Sequence, residues 1–137
     1  MKTNLFALSA LGLSLLSPVA LAMDASFAKD GVVVNGAADD AVWETAQWYP
    51  LEHLMVGTMP SKEDFSGRFK LAWDEGKLYL LVEMLDDVLI DTHPDPKDKY
   101  WDDDALEVFI DEDASGGNHQ YSYNAFAYHI ALDGNAA

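Results

Sequence analysis

Cysteine is absent from the 137 residues, so no disulfide can staple this chain. Basic residues are nearly as scarce: 8 Lys and Arg stand against 24 Asp and Glu, a net charge of −16. Nucleic acids and anionic membranes both recruit Lys and Arg, and this balance argues against either as a partner. There is no glycine-rich phosphate loop, no nucleophile elbow and no HExxH pair. Internal repeats and low-complexity linkers are missing as well. The one long apolar run, Leu5 to Leu16, is too short to span a bilayer and has no stop-transfer pattern behind it.

That run instead reads as the core of a secretory signal peptide. Lys2 supplies the positive start, Ser17-Pro18 breaks the run, and Ala20-Leu21-Ala22 offers a small-x-small cleavage pattern. Residues 1–22 are therefore expected to be removed on export to the periplasm or the medium. No Cys follows the cleavage pattern, so a lipid anchor is not indicated. The remaining 115 of the 137 residues suffice for one domain with a modest core, and losing Lys2 takes the net charge from −16 to −17.

Within residues 23–137 the apolar pattern has the period of strands. Val32-Val33-Val34 before Asn35-Gly36 is a short strand candidate. Asp39 or Asp40 is placed to cap a helical turn whose Val42, Trp43 and Ala46 share a face. Residues 50–66 read as loop. In "GRFKLAW", Phe69, Leu71 and Trp73 alternate with Arg68, Lys70 and Ala72, which predicts a strand half-buried on its aromatic face. Asp74 to Lys77 turns the chain into a second strand, Leu78 to Leu85, and the two read as a hairpin. Pro94 and Pro96 keep residues 86–100 irregular. A strand follows over 105–111, then an acidic turn, then the alternating run "HQYSYNAFAYHIAL". Strands joined by short turns predict an all-β antiparallel sandwich, jelly-roll or immunoglobulin-like, with one short N-terminal helical turn. The turn Asp133-Gly134-Asn135 has only two residues after it, from which a sandwich continuing beyond Ala137 is expected.

The segment "KYWDDDALEVFID" carries residues that core formation does not need. Trp101, beside Tyr100 and three aspartates, offers an apolar plate next to polar groups. Such a mixture suits a pyranose, whose axial C–H groups pack on an indole while its hydroxyls seek polar partners at the rim. The plainer alternative is a Trp that caps a sheet edge. Glu107 lies on the strand face opposite Leu106 and Val108; it is solvated, paired, or accepts hydrogens from adjacent sugar hydroxyls. Asp104 and Glu107 have opposite strand parity, so they do not face each other as a glycosidase acid and base would. "DEDASGG" sets oxygens at Asp111, Asp113 and Ser115 like the start of a calcium loop, but Ser122 stands where the bidentate Glu belongs. A looser Ca²⁺ site from Asp86, Asp104 and Asp111 remains open, hard oxygen donors without Cys favouring calcium over zinc. His53, His93, His119 and His129 show no ligand spacing, and with Met55, Met59 and Met84 they form no haem attachment motif.

Four blocks in order resemble the family 9 carbohydrate-binding modules: "NGAADDAVWETA", "FKLAWDEGKLYLLVEMLDD", "YWDDDALEVFID" and "HQYSYNAF". The resemblance covers roughly residues 30 to 130. It implies a non-catalytic sandwich that binds a mono-, oligo- or polysaccharide, with calcium in structural positions. On this likeness Trp101 is one aromatic plate and Glu107 a hydroxyl acceptor, with Gln120 and Asn124 as further polar ligands. Ser122 departs from members that carry a basic side chain there. Two alternatives stay open: a related sandwich of respiratory enzymes that binds haem, and a purely structural or partner-binding sandwich.

Overall fold

The computed structural model describes residues 23–95, 97–115, 124–132, 134 and 136. The signal-peptide segment 1–22 lies outside the described residues. What is described is all-β: six strands, one five-residue helix and a single 3-10 turn. The strands are β1 (Ser26–Phe27), β2 (Tyr49–Leu51), β3 (Phe65–Trp73), β4 (Leu78–Asp86), β5 (Ala105–Asp111) and β6 (Ala125–Ala131), and helix α1 is Ala41–Thr45. One sheet runs in the order β1-β3-β2 with β4 also on β3, and a second sheet is the antiparallel pair β5-β6. These open, mainly antiparallel sheets fit the expected sandwich class.

The described chain divides into two compact units. One takes the residues up to Tyr49 together with Lys70–Leu80; the other takes Pro50–Phe69 and Leu81 onward. In the first, Trp43 is only 4% exposed and forms the core with Ala28, Ala46, Ala72 and Tyr79. The predicted turn at 74–77 is built by one carboxylate. Asp74 accepts from Gly76 N, Lys77 N and the Tyr79 hydroxyl. The Tyr79 bond, then the turn amides, hold its carboxyl below the usual range. That one side chain fixes both the turn and the start of β4.

Three expectations fail in this unit. Val32 to Val34 is no strand, and Val34 is 86% exposed. The Val33 N–H is taken by Asp40, whose carboxylate turns back to it instead of capping α1, so the segment is held without sheet pairing. The burial parity of β3 is also reversed at its end. Lys70 and Ala72 are buried while Trp73 is half exposed against Phe27. Alternation marks two faces but does not say which one is covered. A lysine can occupy the covered face when its ammonium has partners: Lys70 Nζ donates to the Trp43 carbonyl and sits 4.7 Å from the Trp48 ring centroid. Apart from these three, β1 pairs with β3 in parallel, a two-residue contact that no sequence period signals.

In the second unit, β2 emerges from the segment expected to be loop. It carries Pro50 and lies at the sheet edge, where a missing N–H costs least. Leu51 covers Gly67 so closely that a Cβ there would meet it at 2.7 Å. The strand expected over 105–111 has those limits, and β6 is in register with it from Ala105↔Ala131 to Asp111↔Ala125. At the far end of β6, Gly134 adopts φ 84° and donates to the Ala131 carbonyl, and Ala136 returns beside Ile130 in an antiparallel bridge. Of the turn read from the sequence at 133–135, Gly134 is the described residue.

Candidate functional site

Trp101 stands in a 3-10 turn, Tyr100–Asp102, entered through Lys99 at φ 51°. Its side chain is 69% exposed. An indole so open to water contributes little to a core. What holds the turn lies immediately after it. Asp104 N donates to the Ile90 carbonyl, and Ile90 N donates back to Asp104 Oδ2 at 2.7 Å. Asp103 Oδ1 takes Thr92 N and Oγ1 at 2.9 and 2.7 Å and lies 3.1 Å from His93 Nδ1, while its Oδ2 takes His93 N at 2.7 Å. Two adjacent aspartates thereby tie the irregular 88–93 segment to the turn that displays Trp101.

The Asp103 side chain is only 7% exposed. Desolvation there pushes its carboxyl up, but the Thr92 and His93 hydrogen bonds outweigh it and hold the group well below the ordinary carboxylate range. A depressed folded-state value gives stability that is complete above the ordinary value and is lost progressively as pH falls from there through the depressed one. Asp103→Asn is therefore expected to lower the melting temperature clearly at about pH 7 and by less at about pH 3, where wild type has begun to lose the same contribution. Equal shifts at both values would show that the carboxylate charge is not what ties this segment.

Glu107 projects from the middle of β5, 45% exposed, directly across from His129 of β6. The His129 ring is buried, and its Nδ1 lies 3.6 Å from Glu107 Oε1. Sequence reasoning missed His129 because 22 positions separate the two and only the register brings them together. Asn124 is elsewhere. Its amide donates to Asp113 Oδ2 at 2.6 Å, and its carbonyl accepts from Glu112 N, closing the other end of the hairpin. Hydrogen bonds from Ser115 and then Asn124 bring the Asp113 carboxyl down to about 2. Five residues of strand, roughly 17 Å, separate Asn124 from the Glu107 level. Gln120 and Ser122 lie outside the described residues.

The three acids weighed as calcium ligands are not brought together. Asp86 and Asp104 line one cavity of about 320 Å³ with Phe65, Met84, Leu89 and Leu132. Asp86 Oδ1 is engaged by Val88 N, as Asp104 Oδ2 is by Ile90 N. Asp111 ends the same strand that Asp104 precedes, roughly 24 Å away by strand rise, too far to share one ion. Among the described residues no group of three or more Asp, Glu, His or Cys is arranged to hold a metal. Also among them, no helix is long and apolar enough to cross a membrane.

An exposed tryptophan on a pinned turn, with a carboxylate on the adjoining strand, is the arrangement that the sequence likeness attributes to sugar recognition. The profile described as "Carbohydrate family 9 binding domain-like" matches residues 34–137. The chain belongs to this family. As a family 9 carbohydrate-binding domain it is also similar to two curated proteins, both named endo-1,4-beta-xylanase A. The protein from Thermotoga neapolitana is 30% identical over 91 residues, 66% of this chain and 8% of that protein. The one from Thermotoga maritima is 29% identical over 96 residues, 70% of this chain and 8% of that protein. The chain thus spans about one-twelfth of either relative. No solved structure matches it significantly. Family 9 domains are binding modules rather than catalysts, and β5, whose "YWDDDALEVFID" neighbourhood carries the likeness, falls within the matched span.

Proposed function

We propose that this family 9 domain binds a mono-, oligo- or polysaccharide without transforming it, the ring stacking on Trp101 and its hydroxyls donating to Glu107. The observation that carries this reading is the display of Trp101: an indole 69% exposed, on a turn whose two following aspartates are spent on holding it. A water-facing plate with a fixed support suits a ligand that presents an apolar patch and a rim of hydroxyls. Glu107 adds a charge-assisted acceptor on an exposed strand face. Asp104, whose Oδ2 accepts from Ile90 N, has opposite strand parity to Glu107, so the two are not read as a facing acid and base. Gln120 enters the reading by family likeness, while Asn124, engaged by Asp113, serves the hairpin end.

The relatives' names direct the first choice of ligand to β-1,4-linked xylo-oligosaccharides, with cello-oligosaccharides as the nearest comparison. Export through cleavage after Ala22 belongs to the same reading and is checked by N-terminal sequencing of the secreted protein. The binding itself is tested by titrating xylobiose, cellobiose and glucose into the protein and following tryptophan fluorescence. A saturable change is expected with at least one of them. Glu107→Gln, which keeps shape but removes the charge, is expected to weaken that ligand about 10- to 100-fold, as loss of charge-assisted hydrogen bonds does. Unchanged affinity in Glu107→Gln would remove Glu107 from the site.

A further inference from the structure

The reversed parity of β3 leaves an aromatic pair outside the core that the reading so far does not use. Ala72 is buried, so Trp73 faces the other way and is 44% exposed. The two residues of β1 place Phe27 beside it: Phe27↔Trp73 is the parallel register, and Ala28 N donates to the Trp73 carbonyl at 2.8 Å. Phe27 is 53% exposed, its ring centroid 4.9 Å from that of Trp73 and the two planes tilted by 56°. Asp74 N donates to the Lys77 carbonyl, which brings Leu78 back next to Trp73. Tyr79 is buried, so exposed Leu78 lies on the outer face as well. All of these residues belong to the first compact unit.

Apolar side chains grouped in water mark a contact surface. A stable protein interface takes about 20–30 residues a side, which Phe27, Trp73 and Leu78 cannot supply. Tilted rings also offer two short facets rather than one broad plane. A pyranose is small enough to pack its C–H face on either. The polar complement lies next to Phe27, which lines a cavity of about 260 Å³ together with Lys29, Asp30, Asp40 and Thr45. Asp40 is engaged by Val33 N, and the Thr45 hydroxyl donates to the Val42 carbonyl. Lys29 and Asp30 make no hydrogen bond or ion pair among the described residues. They leave a donor and an acceptor beside an aromatic plate, the composition of a small polar-ligand site.

We propose that Phe27 and Trp73 form a second saccharide-binding surface, built from residues other than Trp101 and Glu107. Pyranose C–H groups pack on the two rings, and hydroxyls reach Lys29 and Asp30. The inference rests on saccharide binding by this domain but does not need Trp101 to be a plate. Both rings are about half covered, whereas Trp101 is more open, so this is the weaker surface, with a dissociation constant of about 1–10 mM.

The test is an NMR titration of the full chain with xylotetraose and cellotetraose, reading the indole N–H signals of Trp73 and Trp101, one for each ring. The Trp73 signal is expected to move saturably with at least one sugar, and to do so again in Trp101→Ala. Phe27→Ala is expected to weaken that response about three- to tenfold, the scale of one aromatic contact. The double variant Lys29→Ala/Asp30→Ala, changed at two exposed positions, is expected to weaken it about as much through lost hydrogen bonds. The wild-type titration decides the matter if Phe27→Ala does not fold. A Trp73 signal that stays still while that of Trp101 moves overturns the second surface alone. Movement of Trp73 alone supports this surface and overturns the Trp101 site. A Trp73 response that vanishes in Trp101→Ala is relayed from the other site and overturns this surface, as does one that the double variant leaves unchanged. Stillness of both signals overturns both.

Discussion

Replacing Trp43 with Ala is expected to destabilise the protein by about 3–5 kcal/mol, the range found when a buried aromatic is deleted from a packed core. Trp43 is 4% exposed, and few other large side chains share its burial: Ala28, Ala46, Ala72 and Tyr79 complete the described core. A small core has few atoms free to collapse into the void, which places the expected cost toward the upper end. The hydrogen bond from Lys70 Nζ to the Trp43 backbone carbonyl survives the substitution in principle, so the loss is one of packing rather than of that hydrogen bond. Against the 5–15 kcal/mol typical of whole domains this is a large share, and it corresponds to roughly 12–20 °C in melting temperature for about 115 residues. Urea or thermal unfolding measures it. Val34→Ala, at a site 86% exposed, is the companion expected to change stability by no more than about 0.5 kcal/mol. A Trp43→Ala cost below about 1 kcal/mol would mean that the aromatic is not packed as described.

Trp101→Ala should show the opposite profile. Its indole is exposed, so unfolding is expected to change by no more than about 0.5 kcal/mol. Sugar affinity is expected to fall by about 2–4 kcal/mol, roughly 30- to 1000-fold, the scale on which central aromatic contacts act at binding surfaces. Trp101→Phe should recover part of the loss, because a smaller ring keeps the stacking plane but less of its area. The variants are compared by calorimetric titration, since the substitution removes the fluorophore of interest. Wild-type affinity in Trp101→Ala would leave the family assignment standing and move the sugar to another surface. Loss of stability together with affinity would instead make Trp101 a support of the fold.

Much of this was legible before the structure. The limits of β5, the hairpin turn at Asp74 to Lys77 and the display of Trp101 all follow from alternation, turn chemistry and the oddity of an aromatic among acids. The illegible parts share a cause: each depends on a partner distant in sequence. Lys70 was assigned to solvent because nothing local announces the Trp43 carbonyl and Trp48 ring that receive it. Asp103 and Asp104 look alike in a run of three, and only the return of residues 90–93 shows that each anchors different groups. His129 looked like a histidine without spacing until the β5-β6 register set it opposite Glu107. The calcium grouping failed for the reverse reason. Asp104 and Asp111 are close in number, but an extended strand holds them far apart.

The division of labour around Trp101 has a consequence for how such a surface can change over time. The anchors, Asp103 and Asp104, lie after the turn and point back to residues 90–93, while the plate itself hangs on the short turn between Lys99 and Asp102. Display and support are written in separate letters. If the proposed stacking on Trp101 holds, substitutions within residues 99–102 are expected to retune which ligand is met without loosening the fastening, and the turn would serve as an exchangeable cassette for selecting new specificities on an unchanged frame.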